Sequence, residues 1–515
     1  MTKRGALRFA VFAGISLLSV FGGYSQLAAI MEGEGVFAAL CKGTLISGGI
    51  FLLSLAGILA FRKWSLRKWY WILGVYFGAM FILIVPTGCT PDEIAHFDSA
   101  YELSNEMQGN GGVELYGLML KRESDVGYEE HLISNDTYEA YYQTFEGKTY
   151  DELTVVRNGG AFHSLVYLPG AVGITVAKIL HFNYGWTTVL GTVFQMLFFL
   201  VAVSYSMYLL PFGKKTLFVV ALLPMTLQQA SSYSYDNMAI AMSILVVSIS
   251  LRWMTDQQDT RRQRRLQAVL FVAAALMLSQ AKGGLYMILV LLPAGMIIKR
   301  IRGKKKAMVA AGLALLLLAV LAVILWNAGG LGEKMQRLLI TPHYIEERDL
   351  LGGSIHYYLT HPALTATIFA RTILTCGKEY LFSMMGGLLG WYQIVIPGKI
   401  IWVILAVLLL SLFRTEKDVG EIKKGQRIYI LLLCILICVL CLAAMLLFWT
   451  SFLSPVIEGV QGRYFLPVLF AALIAVGYWK KPCLAGTFQE DFFVFSMAIL
   501  DFLVLVFILK EAAAF

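Results

Sequence analysis

Apolar runs of about 20 residues recur along this chain, the length a helix needs to cross the hydrocarbon core of a bilayer. The runs are continuous rather than alternating, so the strand pattern of a barrel is missing. In lipid only helices and closed barrels satisfy their own backbone groups. With 58% hydrophobic and 15% charged residues over 515 positions, and a mean hydropathy of +0.70, the chain reads as all-α: a polytopic integral membrane helical bundle. About thirteen spans are expected, near 7–30, 36–61, 69–87, 187–210, 215–231, 237–254, 266–280, 284–300, 307–326, 397–413, 428–450, 463–479 and 490–510.

The formal net charge of +9 does not point to nucleic acid, because of where it sits. Of the 42 Lys and Arg, 27 fall at the amino terminus or in and beside the short loops 62–68, 211–215, 255–265, 301–306, 414–427 and 480–489. This is the positive-inside pattern, and it sets the amino terminus in the cytoplasm and the carboxyl terminus outside. Segment 88–186 then lies outside, with fifteen Asp and Glu against five Lys and Arg. Two further apolar stretches, 163–180 and 364–392, are read as interfacial helices lying on the membrane. The first is short and holds Pro169 and Gly170; the second carries Arg371, Lys378 and Glu379 in its middle. The basic start followed by an apolar run resembles a signal peptide, but no small-residue cleavage site follows, so it is read as an uncleaved first span. Seven cysteines form no disulfide framework: Cys434, Cys438 and Cys441 share one apolar run as packing thiols, and Cys89 stands alone just beyond a span.

Five polar stretches sit at the outer ends of spans, where ionisable side chains are expensive and functional. The first is VPTGCTPDEIAHFDSAY, Val85 to Tyr101. If Pro91 opens a helix, Asp92 and Glu93 fall in its first turn and His96 lies one turn on from Asp92. Such residues either cap the helix or supply a general base or a cation site. The second is SYSYDN, where Asp236 either caps the following helix or holds a polar group. The third, SQAKGGLY, puts Lys282 beside Gly283 and Gly284. That lysine either snorkels to the head groups or contacts a phosphate that the glycines let approach. The fourth is VQGRYFLP, with Gln461, Arg463 and Tyr464; a guanidinium grips phosphate bidentately. The fifth, AFHSLVYLPG, offers His163 and Tyr167. The remaining histidines show no metal-ligand spacing, and there is no P-loop, dinucleotide fingerprint or nucleophile elbow.

Pro91, Asp92, Glu93 and His96, then Asp236, then Lys282 and Gly283, then Gln461, Gly462, Arg463, Tyr464, Phe465 and Pro467 together resemble a family of bacterial multi-pass proteins classed as a domain of unknown function. In layout that family is similar to the GT-C superfamily of integral-membrane glycosyltransferases, which includes protein mannosyltransferases and lipid A aminoarabinose transferases. Thr90 stands where the family often has a first proline. The resemblance implies a GT-C-like bundle in the plasma membrane, with a catalytic transmembrane module (69–326), a segment outside the membrane (327–396) and carboxyl-terminal helices (397–515); the extra amino-terminal hairpin (1–68) precedes the usual first span and departs from that layout. It also implies an inverting transfer of a sugar from a polyprenyl-phosphate donor to an extracytoplasmic glycan, lipid or protein acceptor. Asp92 would be the general base, with Glu93, His96 and Asp236 beside it. Lys282, Arg463, Tyr464, Gln461, His163 and Tyr167 would bind substrate. A divalent cation shared by Asp92, Glu93 and Asp236 stays open, as do two other functions: a transporter or flippase of lipid-linked saccharide, and a non-catalytic subunit of a polysaccharide assembly complex.

Overall fold

The computed structural model describes residues 3–110, 117–126, 131–157, 164–255, 258–294, 343–345, 350–413, 418, 420–452, 454–477 and 490–515. It is mostly helical. Among the described residues six helices are long and apolar enough to cross a membrane: Gly5–Met31, Val36–Phe61, Tyr184–Leu209, Tyr235–Met254, Lys424–Phe448 and Glu490–Ala512. The run expected at 307–326 and His163 lie outside the described residues.

Among the described residues, the runs expected as spans hold a mixture of long and short helices. The run 215–231 is two pieces, Lys214–Ala221 and Pro224–Ala230, because Pro224 has no N–H to continue the first and is well placed to start the second. Every residue from Lys215 to Ala230 is buried, so these pieces are core. Gly398–Leu410 has 13 residues and Leu466–Val476 has 11. At 1.5 Å per residue each is about 20 Å or less, shorter than a bilayer core. Leu168–Ile179, with 12 residues, is likewise too short to span. The stretch 364–392 divides into the helix Pro362–Met384 and a tight hairpin pairing Leu388–Leu389 with Ile394–Val395.

The acidic segment after residue 88 folds into a cap. Strand Leu118–Arg122 pairs antiparallel with Leu153–Arg157. Behind it, the buried Arg122 donates to Asp125 at 2.7 and 3.2 Å, to the Phe182 carbonyl at 2.8 Å and to Thr187 at 2.9 Å. Tyr101 donates to Asp125 at 2.7 Å, and Lys178 donates to Asn105 at 2.7 Å. Lys121 pairs with Asp98 at 2.6 Å. Buried charges are tolerated only when paired, so this network fastens the cap to the helix Glu93–Met107.

At the other end of the chain's topology, the hairpin Lys3–Met31/Val36–Phe61 packs against the last helix, Glu490–Ala512. Gly48 leaves room for the Phe502 ring, which a Cβ there would strike, and Arg8 pairs with Asp491. Asp501, in the middle of that last helix, is fully buried and neither of its carboxyl oxygens has a hydrogen-bond partner. Hydropathy passes over it, because one Asp in a long apolar run leaves the average high.

Candidate active site

Pro91 does not give Asp92 a regular cap. The helix starts at Glu93, and Asp92 precedes it in the left-handed region (φ 64°) with no side-chain capping bond. Short polar side chains tolerate this conformation best. The Asp92 carboxylate is therefore free to turn outward, where it stays 61% exposed and accepts from Arg463 Nη2 at 3.1 Å.

Arg463 is held from below. Gly462 lets the turn Gly462–Phe465 lie directly on the helix Pro362–Met384, where a Cβ would meet Tyr380 and Ser383. This buries the guanidinium, and its Nε stands 3.4 Å from Asp236 Oδ2. Asp236 is not the cap of its own helix. Ser234 takes that place by accepting from the Asp236 N–H, which leaves the Asp236 carboxylate for the site. Its other oxygen lies 3.9 Å from Lys282 Nζ.

Lys282 enters from a kinked turn in which Lys282, Gly283 and Gly284 have φ of 45°, 62° and 82°. No atom would meet a Cβ at Gly283, so the turn borders open space. Lys282 Nζ sits over the Tyr464 ring, 2.7 Å from its centroid, and 5.8 Å from that of Tyr235. Burial lowers its ammonium to about 8 although Asp236 pulls it upward. Asp92, Asp236, Lys282 and Arg463, far apart in sequence, thus form one chain of alternating charge. Lys282 Nζ, Arg463 Nε and Asp236 Oδ1 are shut off from water, and none makes a hydrogen bond. Tyr464 contributes its ring, while its carbonyl accepts from Tyr286 at 2.8 Å. The Gln461 Oε1 atom is buried without a partner.

Glu93 and His96 point elsewhere. Glu93 accepts from the N–H groups of Gly88, Thr90 and Tyr233 and from the Thr90 hydroxyl, at 2.7 to 3.2 Å. Burial pushes its carboxyl up to about 7 against those four donors. It ties the loop before Asp92 to the loop before Asp236. His96 Nδ1 lies 2.8 Å from the Tyr167 hydroxyl, and its ring meets the Tyr235 ring edge-on. Burial, with help from the charges of Arg463 and Lys282, lowers it to about 3, so the imidazole is neutral. His96 packs on Tyr235, the residue before Asp236. Cys89 is buried rather than exposed, and burial raises its thiol. With both Glu93 oxygens engaged and both aspartates on cations, the three carboxylates do not gather around a cation. Among the described residues no group of three His, Cys, Asp or Glu does.

Sequence reasoning missed the turn of the small hairpin. Trp391 Nε1 donates to the Gly88 carbonyl at 3.1 Å, the Gly390 N–H donates to Gln228 at 2.9 Å, and Gln393 donates to the Ile133 carbonyl at 2.8 Å. The first bond ties the turn to the loop that carries Asp92, and the other two tie it to the helix Pro224–Ala230 and to the cap. The glycines at 386, 387 and 390, followed by Pro397, are its sequence signal.

No curated protein and no solved structure matches the chain. A family model described as "Predicted membrane protein (DUF2142)" matches residues 75–472. That stretch runs from the helix before Asp92 to the helix after Arg463, takes in most of the chain, and places it in the DUF2142 family of predicted membrane proteins.

Proposed function

We propose that this protein is an integral-membrane glycosyltransferase of GT-C type, moving a sugar from a polyprenyl-phosphate donor to an acceptor hydroxyl outside the cytoplasm of a bacterial cell. One observation carries the reading: a buried Arg463 and Lys282 with unspent donors stand beside one exposed carboxylate, Asp92, at the ends of apolar helices. A polyprenyl donor cannot leave the bilayer, so its phosphate must be met at the rim of the membrane helices. Cations there stabilise negative charge as it develops on the departing phosphate. An exposed carboxylate suits a base that must reach an acceptor coming from water. In the transfer, the acceptor oxygen bonds to the anomeric carbon and gives its proton to Asp92. The anomeric carbon–phosphate oxygen bond breaks, and its electron pair leaves on the phosphate held by Lys282 and Arg463. A single displacement of this kind inverts the anomeric centre.

The test is sugar transfer from a lipid-linked donor in membranes bearing wild-type protein or Asp92→Asn. Loss of turnover with donor binding retained supports the assignment; unchanged turnover removes Asp92 as the base. Asp501 favours a second reading, transport of a lipid-linked saccharide, because ionisable groups inside spans mark translocation paths.

A further inference from the structure

The hairpin turn 390–393 also carries Tyr392. Tyr392 is a bulky residue held at φ 65°, a conformation that costs energy and persists only where the surroundings impose it. The surroundings here are the three bonds from Gly390, Trp391 and Gln393, which anchor both sides of the residue. Its hydroxyl oxygen is shut off from water and has no hydrogen-bond partner. A buried hydroxyl without a partner is costly and calls for an explanation. The charges of Arg463, Asp236 and Asp92 all act on this phenol, and its neighbour Trp391 bonds to Gly88 in the loop before Asp92. Burial raises it, so it stays protonated and can only donate to an anion.

We propose that Tyr392 is a third anion-binding residue, its hydroxyl donating to a phosphate oxygen of the ligand that Lys282 and Arg463 hold. This rests on the lipid-phosphate reading given above. Tyr392 enters on the hairpin turn that Trp391 ties to the Asp92 loop, and so adds a hydroxyl to the two cations around the anion. The donor is spent only when the ligand is present, which accounts for the unpartnered oxygen.

The test uses the full chain in lipid nanodiscs with farnesyl phosphate as probe and inorganic phosphate in a parallel arm. With wild type binding farnesyl phosphate and Arg463→Gln losing it, Tyr392→Phe should weaken binding about tenfold, the worth of a hydrogen bond to a charged group. The ligand-free variant should melt at the same temperature or higher, since an unsatisfied hydroxyl has been removed. Binding by Tyr392→Phe equal to wild type overturns the proposal and leaves the lipid-phosphate reading standing. Failure of wild type to bind either probe overturns both. Binding of inorganic phosphate as tight as farnesyl phosphate, weakened by Tyr392→Phe, upholds the tyrosine but assigns the site to free phosphate. If the Phe variant does not fold, Tyr392→Asn, which accepts positive φ, should show the same weakening; wild-type affinity in that variant overturns the proposal.

Discussion

Arg463 and Asp92 meet at 3.1 Å across most of the length of the chain, one fully inside the protein and the other largely in water. The same guanidinium reaches the buried Asp236 at 3.4 Å, so two carboxylates compete for it.

Formal charges on Asp92, Asp236, Lys282 and Arg463 cancel, and an entering anion must oppose the two carboxylates. Asp92→Asn removes one of them. A unit charge at this distance is worth about 1–4 kcal/mol between bulk water and a protein surface. Affinity for farnesyl phosphate should therefore rise about tenfold by isothermal titration, while sugar transfer falls roughly 100-fold or more. Weaker binding by this variant would contradict the competition between Asp92 and the ligand.

Lys282 gives the site a pH limit. In the folded protein it loses its proton near 8, against about 10.4 when unfolded. The folded state thus binds fewer protons than the unfolded state between those values. The cost of burying the charged form is present in full below pH 8, and stability rises with pH above it. Anion affinity runs the other way, falling as pH rises through about 8, where a phosphate monoester is already fully ionised. Lys282→Arg should keep affinity level across that range, as a binding series at several pH values will show.

Asp501 separates transport from scaffolding. If its carboxyl serves no step, Asp501→Leu removes two unpartnered oxygens and should raise thermal stability by about 1–3 kcal/mol with transfer intact. A stabilised variant that no longer moves a lipid-linked saccharide across proteoliposomes would assign Asp501 to a translocation path.

Gly48 should tolerate no large side chain. The Phe502 ring occupies the space a Cβ would need, so Gly48→Leu should destabilise by about 1–3 kcal/mol in detergent melts. Gly43 on the same helix faces open space, and Gly43→Leu should leave the melting temperature unchanged.

The meeting of Asp92, Asp236, Lys282 and Arg463 was legible because each is a polar residue at the end of an apolar run, and the alternation of basic loops puts those ends on one side. What they do there remains the proposal made above. Their neighbours were harder to read. Two-residue strands carry no periodicity, so apart from its glycines nothing marked the hairpin whose Trp391 bonds to the Asp92 loop. Glu93 and His96 lie next to Asp92 in sequence, but a helix sends successive side chains to different faces, and theirs bond inward. Pro224 broke a run that hydropathy alone reads as continuous. Fifteen acidic residues in 88–186 say nothing of burial, and Asp98 and Asp125 are paired inside that segment with Lys121 and Arg122.

The pairing of Arg8 with Asp491 spans 483 positions and joins the helix Lys3–Met31 to the helix Glu490–Ala512. At roughly 5–20 residues per second, the opening hairpin waits about 25–100 s before its docking partner leaves the ribosome. During that interval the groove at Gly48 has only lipid to fill it. Cutting the chain before residue 490 would spare Asp92, Asp236, Lys282 and Arg463 and still leave that hairpin without the helix it packs on, so its docking is a late step in assembly.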